Sequence, residues 1–140
     1  MPTFEGQCHC GALAFRFHTA LPHERWQVRA CQCSFCRRHA ALSTSDPGGR
    51  LEFLIKEAGA LHRYRFGLRT ADFLICTRCG VYIGAQIDSG HGSFGIINAR
   101  ALPALAAALP PESPVSYQAE DAASRLARRA ERWTPLAAMV

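Results

Sequence analysis

Three thiols within six residues, Cys31-Gln32-Cys33-Ser34-Phe35-Cys36, constrain this chain more than any other stretch. Residues two apart on an extended segment point the same way. Cys31 and Cys33 can therefore face one ion, while a turn through Ser34 and Phe35 brings Cys36 round to it. No fourth residue of ligand type lies among them. Structural zinc takes four protein ligands, whereas catalytic zinc takes three and keeps a position for water or substrate. The segment reads as an open zinc site.

The other four cysteines test that reading. Cys8 and Cys10 are spaced CxC, and Cys76 and Cys79 are spaced CxxC with Gly80 following. A glycine there lets the backbone turn tightly enough for its amides to approach sulfur. Two pairs make one closed tetrahedral site, so the seven cysteines divide into four structural ligands and three catalytic ones. Other divisions exist, such as Cys31 and Cys33 with Cys76 and Cys79, but they split a compact three-ligand segment and strand Cys8 with Cys10.

An odd number of cysteines rules out a complete disulfide framework within one chain. The opening residues, Met1 to Gln7, have neither the basic start nor the apolar run of an export signal. No stretch reaches the length of apolar residues that a membrane helix needs. A cytoplasmic setting, where thiols stay reduced, is expected. The formal charge of +5 across 140 residues hints at nucleic acid, but seven thiolates and two zinc ions lower it to about +2. Arg37, Arg38 and Arg78 sit beside the cysteines, where they can offset thiolate charge or receive an anion.

The length fits one domain spanning residues 1–140. Leu13, Phe15 and Phe17 alternate against Ala14, Arg16 and His18 as a half-buried strand, and residues 26–30 alternate again before the open site. Residues 37–42 suit a helical turn. Residues 51–55 and 61–66 suit short strands with a hairpin-length link between them. The CxxC pair falls between two apolar runs, 72–75 and 81–87, as the turn of a hairpin, and residues 93–98 suit a further strand. A short helix is expected over 101–109. A longer one is expected over 120–132, acidic at its start and basic at its end as the macrodipole favours. On that longer helix Ala123, Leu126, Ala127 and Ala130 form the packing face, and Arg125, Arg128, Arg129 and Arg132 the solvated one. A nucleic-acid surface is the weaker reading of those arginines, because no aromatic residues interleave for base stacking.

Taken together, Cys8-His9-Cys10-Gly11, the Cys31 to Arg38 segment and Cys76-Thr77-Arg78-Cys79-Gly80 closely resemble the glutathione-dependent formaldehyde-activating enzyme family, which also includes centromere protein V. The resemblance runs from residue 4 to about residue 100. It implies a mainly β, Mss4-like zinc fold of short antiparallel sheets, with a helix near the C-terminus. It also implies Cys8, Cys10, Cys76 and Cys79 as the structural zinc site and Cys31, Cys33 and Cys36 as the catalytic one. The chemistry expected is reversible addition of a glutathione-like thiol to a small aldehyde, a carbon–sulfur lyase reaction read in reverse. Arg37 and Arg38 are placed to hold a substrate carboxylate, and His39 is a nearby candidate for proton transfer. Two other classes stay open. One is a zinc-stabilised module that binds protein or nucleic acid, its second site closed by a ligand such as His39. The other is a thiol redox protein with Cys31, Cys33 and Cys36 free of metal.

Overall fold

A computed structural model describes residues 1–105 and 107–140 of the chain. Along it run β1 (Thr3–Gln7), β2 (Leu13–His18), β3 (Arg29–Cys31), α1 (Ser34–His39), β4 (Ser43–Thr44), β5 (Arg50–Ile55), β6 (Leu61–Tyr64), β7 (Asp72–Cys76), β8 (Tyr82–Asp88), β9 (Ser93–Asn98), β10 (Ser113–Val115), α2 (Ala122–Arg132) and β11 (Thr134–Met139). The protein is mainly β, as the residue alternation implies.

Two antiparallel groups of strands supply most of the pairing. β1 and β2 are antiparallel, and β2 pairs on with β5. β6, β7, β8 and β9 form an antiparallel run. One edge of β9 faces β8. The other edge is shared, with β11 pairing at Phe94 and Gly95 and β4 at Ile97 and Asn98. β11 then shifts register after Leu136 and continues parallel to β5. A single strand thus joins both sheets, and an open sheet results.

The two faces of the β6–β9 sheet carry separate apolar clusters, because neighbouring residues of a strand point opposite ways. Leu74, Ile83 and Ile97 pack with Leu13, Phe15, Phe17, Leu51 and Phe53. Phe73, Tyr82 and Ile96 pack with Phe35 and Trp133 on the opposite side. Each cysteine group belongs to one of these clusters: Cys8 and Cys76 to the first, Cys36 to the second. Fully burying a large apolar side chain contributes roughly 1.5–3 kcal/mol, so both metal-type sites rest on rigid ground.

Gly95 sits where the sheets meet. A Cβ there would lie 2.6 Å from Leu51 Cδ2 and 3.2 Å from Phe53 Cε2. Gly95→Val is expected to lower stability by about 2–3 kcal/mol through overpacking, read as a lower urea midpoint at an unchanged slope.

Several local expectations are corrected. β5 and β6 form no hairpin: a 3-10 turn at Ala58–Ala60 sends β6 to β7. Pairing is also not wholly antiparallel, since β10 runs parallel to β3 and β11 parallel to β5. Instead of a helix over 101–109 there is a 3-10 turn at Ala99–Ala101 followed by non-helical turns, and Ala106 of that span lies outside the described residues. α2 does form, but it is followed by β11.

The faces of α2 follow the expected order only in part: Leu126 and Ala130 are half-buried, with Leu126 packed on the Phe35 and Trp133 cluster. Ala123 and Ala127 are exposed, whereas Arg125, Arg128 and Arg129 turn inward and Arg132 stays outside. Alanine carries too little apolar surface to decide which face packs. The arginine stems instead lie over aromatic rings, with the Arg128 guanidinium 3.4 Å above Tyr117 and that of Arg129 4.8 Å from Trp133.

Candidate functional site

Both cysteine pairs of the four-ligand group come from hairpin turns. Cys8 and Cys10 lie between β1 and β2, while Cys76 ends β7 and Cys79 sits in the turn to β8. Gly80 adopts φ +77°, the left-handed conformation the tight turn requires. Backbone N–H groups of Leu13 and Arg78 donate to Cys8 Sγ and Cys76 Sγ at 3.3 and 3.4 Å. All four sulfurs lie within 4.8 Å of one another. Cys10 Sγ is 3.7 Å from Cys8 Sγ and 3.6 Å from Cys76 Sγ. Those separations are too long for disulfides. Tetrahedral zinc with bonds near 2.3 Å needs sulfurs about 3.8 Å apart, so the donor set fits zinc.

The remaining three sulfurs also gather within 4.8 Å, with no fourth Cys, His, Asp or Glu ligand joining them among the described residues. Cys31 ends β3, held by β10 alongside, and the N–H of Gln32 donates to Val115 O at 2.9 Å. α1 begins inside the motif rather than after it. Cys33 caps it, its Sγ accepting the N–H of Cys36 at 3.3 Å. That cap, together with the helical turn, brings Cys36 round. Hydrogen bonds from Cys31 and then Cys36 pull the Cys33 thiol down. Cys36 is pushed far up by the same neighbours.

These three cysteines line a cavity of about 340 Å³ that none of the other four reaches. Its walls are of two kinds. Phe66, Phe73, Ile96 and Trp133 are apolar, and Arg29, Arg125, Arg128 and Arg129 are cationic. Glu120 neutralises part of the charge, accepting from Arg128 Nε at 2.7 Å and Arg125 Nε at 3.3 Å. Hydrogen bonding from Arg128 holds that carboxyl below its usual range. Arg29 donates to Ser45 Oγ at 2.6 Å and Arg129 to Thr70 Oγ1 at 2.9 Å, both neutral partners. Burial lowers both guanidiniums, Arg129 to about 10. Tyr82 also lines the cavity, and burial pushes its hydroxyl well above the usual phenol range.

Arg37 and Arg38 lie on the exposed side of α1. With Gln32, Ser34 and Gln118 they border a shallower groove, and Arg38 Nη1 donates to Ser34 O at 3.0 Å. His39 stacks on Phe35 with ring centroids 4.4 Å apart and is not among the cavity-lining residues. Arg29, Arg129 and Tyr82 have no motif around them in the sequence. Only the arginine repeat of α2 carries a sequence signal, and that signal points to a solvated face.

The model of the glutathione-dependent formaldehyde-activating enzyme family matches residues 3–113. The chain belongs to this family. All seven cysteines of this formaldehyde-activating family member fall inside the matched segment, whereas α2 and β11 lie beyond it. A crystal structure of a Rhodobacter sphaeroides protein, solved by structural genomics, is similar at 31% identity and a TM-score of 0.56. The likeness covers 78% of this chain and 99% of that one, and it agrees with the Mss4-like fold. Among curated proteins no relative matches. The family name fits an enzyme of this type with metal-binding thiols. No helix among the described residues is long and apolar enough to cross a membrane.

Proposed function

We propose that this chain is a zinc-dependent carbon–sulfur lyase of the formaldehyde-activating type, acting as one domain over residues 1–140 in a cytoplasmic setting. The reaction is the reversible addition of a small thiol, glutathione in the family's name, to a small aldehyde. The thiol sulfur bonds to the carbonyl carbon, the carbonyl π bond opens, and the thiol proton ends on the new hydroxyl. One observation carries the reading: three convergent thiols without a fourth ligand line a cavity, while four others close on one another away from it.

Cys8, Cys10, Cys76 and Cys79 would hold a structural zinc, and Cys31, Cys33 and Cys36 a catalytic one. Bound there, the ion would supply Lewis acidity, favouring the thiolate form of an arriving thiol or polarising a carbonyl. Phe66, Phe73 and Trp133 keep water off the reacting atoms. Tyr82 keeps its Oη proton at neutral pH and is the candidate to donate to the developing alkoxide. It takes this part instead of His39, which is not among the cavity-lining residues. Arg37 and Arg38 flank the site from the outer groove, where they can attract an anionic reactant without entering the cavity.

A noncatalytic binding module would close its second site with a fourth ligand, and that is the weaker reading because none joins the trio among the described residues. Zinc-loaded protein should accelerate adduct formation between thiol and aldehyde, followed by ultraviolet absorbance. Tyr82→Phe should slow it by about 10²-fold with zinc content unchanged. A wild-type rate equal to that of buffer with free zinc would refute the enzyme reading.

A further inference from the structure

Two guanidiniums in the cavity wall lack an anionic partner. Arg29 Nε and Arg129 Nε are both buried without a hydrogen bond, although neighbouring nitrogens of each side chain reach the hydroxyls of Ser45 and Thr70. Burying a charge without a counter-charge is costly, and folds tolerate it mainly where a ligand completes the pairing. Trp133 forms the floor beneath Arg129 and fixes the guanidinium plane.

The trio does not balance this charge. A zinc ion with three thiolates carries a single negative charge. Glu120 contributes one more, from behind Arg125 and Arg128. Set against four guanidiniums, these leave the cavity with a surplus of two positive charges. No Asp or Glu lines the cavity among the described residues, so no carboxylate side chain there offers a salt bridge to an ammonium group. Glutathione would bring one at its γ-glutamyl end.

We infer that Arg29 and Arg129 form a carboxylate-binding site, so that the reactant held in the cavity is a small carboxylic acid bearing the thiol or the carbonyl and no ammonium group. The inference rests on the thiol–carbonyl reading above and narrows its substrate class. Arg129 comes from a helix beyond the family-matched segment, whereas Arg29 lies within it. Planar, doubly donating guanidiniums suit a carboxylate better than a point charge would.

Calorimetric titration of the zinc-loaded protein with four thiols that differ at the far end tests this directly: mercaptoacetate, 2-mercaptoethanol, 2-mercaptoethylamine and glutathione. Mercaptoacetate should bind at least tenfold more tightly than 2-mercaptoethanol, and 2-mercaptoethylamine more weakly than either. Arg29→Met and Arg129→Met should each erase the mercaptoacetate preference while zinc content holds and the melting midpoint does not fall. A merely structural arginine would instead lower the midpoint and leave the preference intact. Should a methionine variant fail to fold, Arg129→Gln serves with the same expected loss. Equal binding of mercaptoacetate and 2-mercaptoethanol, or a preference that survives both substitutions, would overturn the site. Glutathione binding as tightly as mercaptoacetate would overturn the exclusion of the ammonium group. A carboxylate preference without thiol–aldehyde turnover would support the anion site and sink the lyase reading, so the two claims fail separately.

Discussion

Cys76→Ala is expected to abolish cooperative folding at room temperature. Cys76 is 1% exposed, ends β7 and packs in the cluster that holds Leu74 and Ile83. Its sulfur accepts from Arg78 N–H and lies 3.6 Å from Cys10 Sγ. Removing it takes one ligand from the four-sulfur site and leaves three thiolates crowded without their full counter-charge. Structural zinc supplies on the order of 10 kcal/mol in small zinc domains, while a whole domain is stable by only about 5–15 kcal/mol. The loss is therefore comparable with the entire stability. Circular dichroism of Cys76→Ala on heating should give no sigmoidal transition. A melting midpoint within a few degrees of wild type would remove the structural role from this site.

Cys36→Ser should have the opposite profile, with the fold kept and the chemistry lost. Cys36 is held by α1, whose start is secured by the Cys33 cap rather than by the metal, and its environment of Phe35, Phe73 and Tyr82 is aromatic. Serine nearly matches cysteine in volume and leaves the backbone N–H to Cys33 Sγ intact. A hard hydroxyl is a poor zinc ligand, and two thiolates cannot hold the ion against competition from water. Thiol–aldehyde addition should fall by at least 10³-fold, with the melting midpoint lowered by only a few degrees. Rates within tenfold of wild type would mean that the reaction does not depend on the Cys31, Cys33 and Cys36 group.

The sequence made the two cysteine groups legible because their signal is local. CxC, CxCxxC and CxxCG each place sulfurs by backbone geometry alone, and the division into four and three is the division of sulfurs seen in space. The strands around the knuckle were legible for the same reason: Phe73 and Leu74, like Tyr82 and Ile83, alternate between two buried faces. Pairing partners were less so. β5 and β6 looked joined because the link between them is short, but β5 is claimed by β2 and β11, which lie far away in sequence. Nothing local encodes a parallel strand that returns from the C-terminal end.

The cavity wall was the least legible part. Arginine reads as solvated unless a neighbouring ring or hydroxyl gives its stem and head a buried place. For Arg129 those neighbours are Trp133 and Thr70, the latter on another segment entirely. Arg29 depends on Ser45 in the same way. Tyr82 carries no mark beyond its place next to the CxxCG turn. Its burial comes from Phe73 on the neighbouring strand and from Phe35, which reaches it only once α1 packs on the sheet.

The central claim is that one chain holds two zinc ions on two separate thiol groups, one closed and one open. Native mass spectrometry of the intact protein reads this directly. The account predicts two zinc ions per chain for wild type, and a single retained zinc in a folded variant with Cys31, Cys33 and Cys36 all changed to serine. One zinc in both proteins, or two in both, would contradict it.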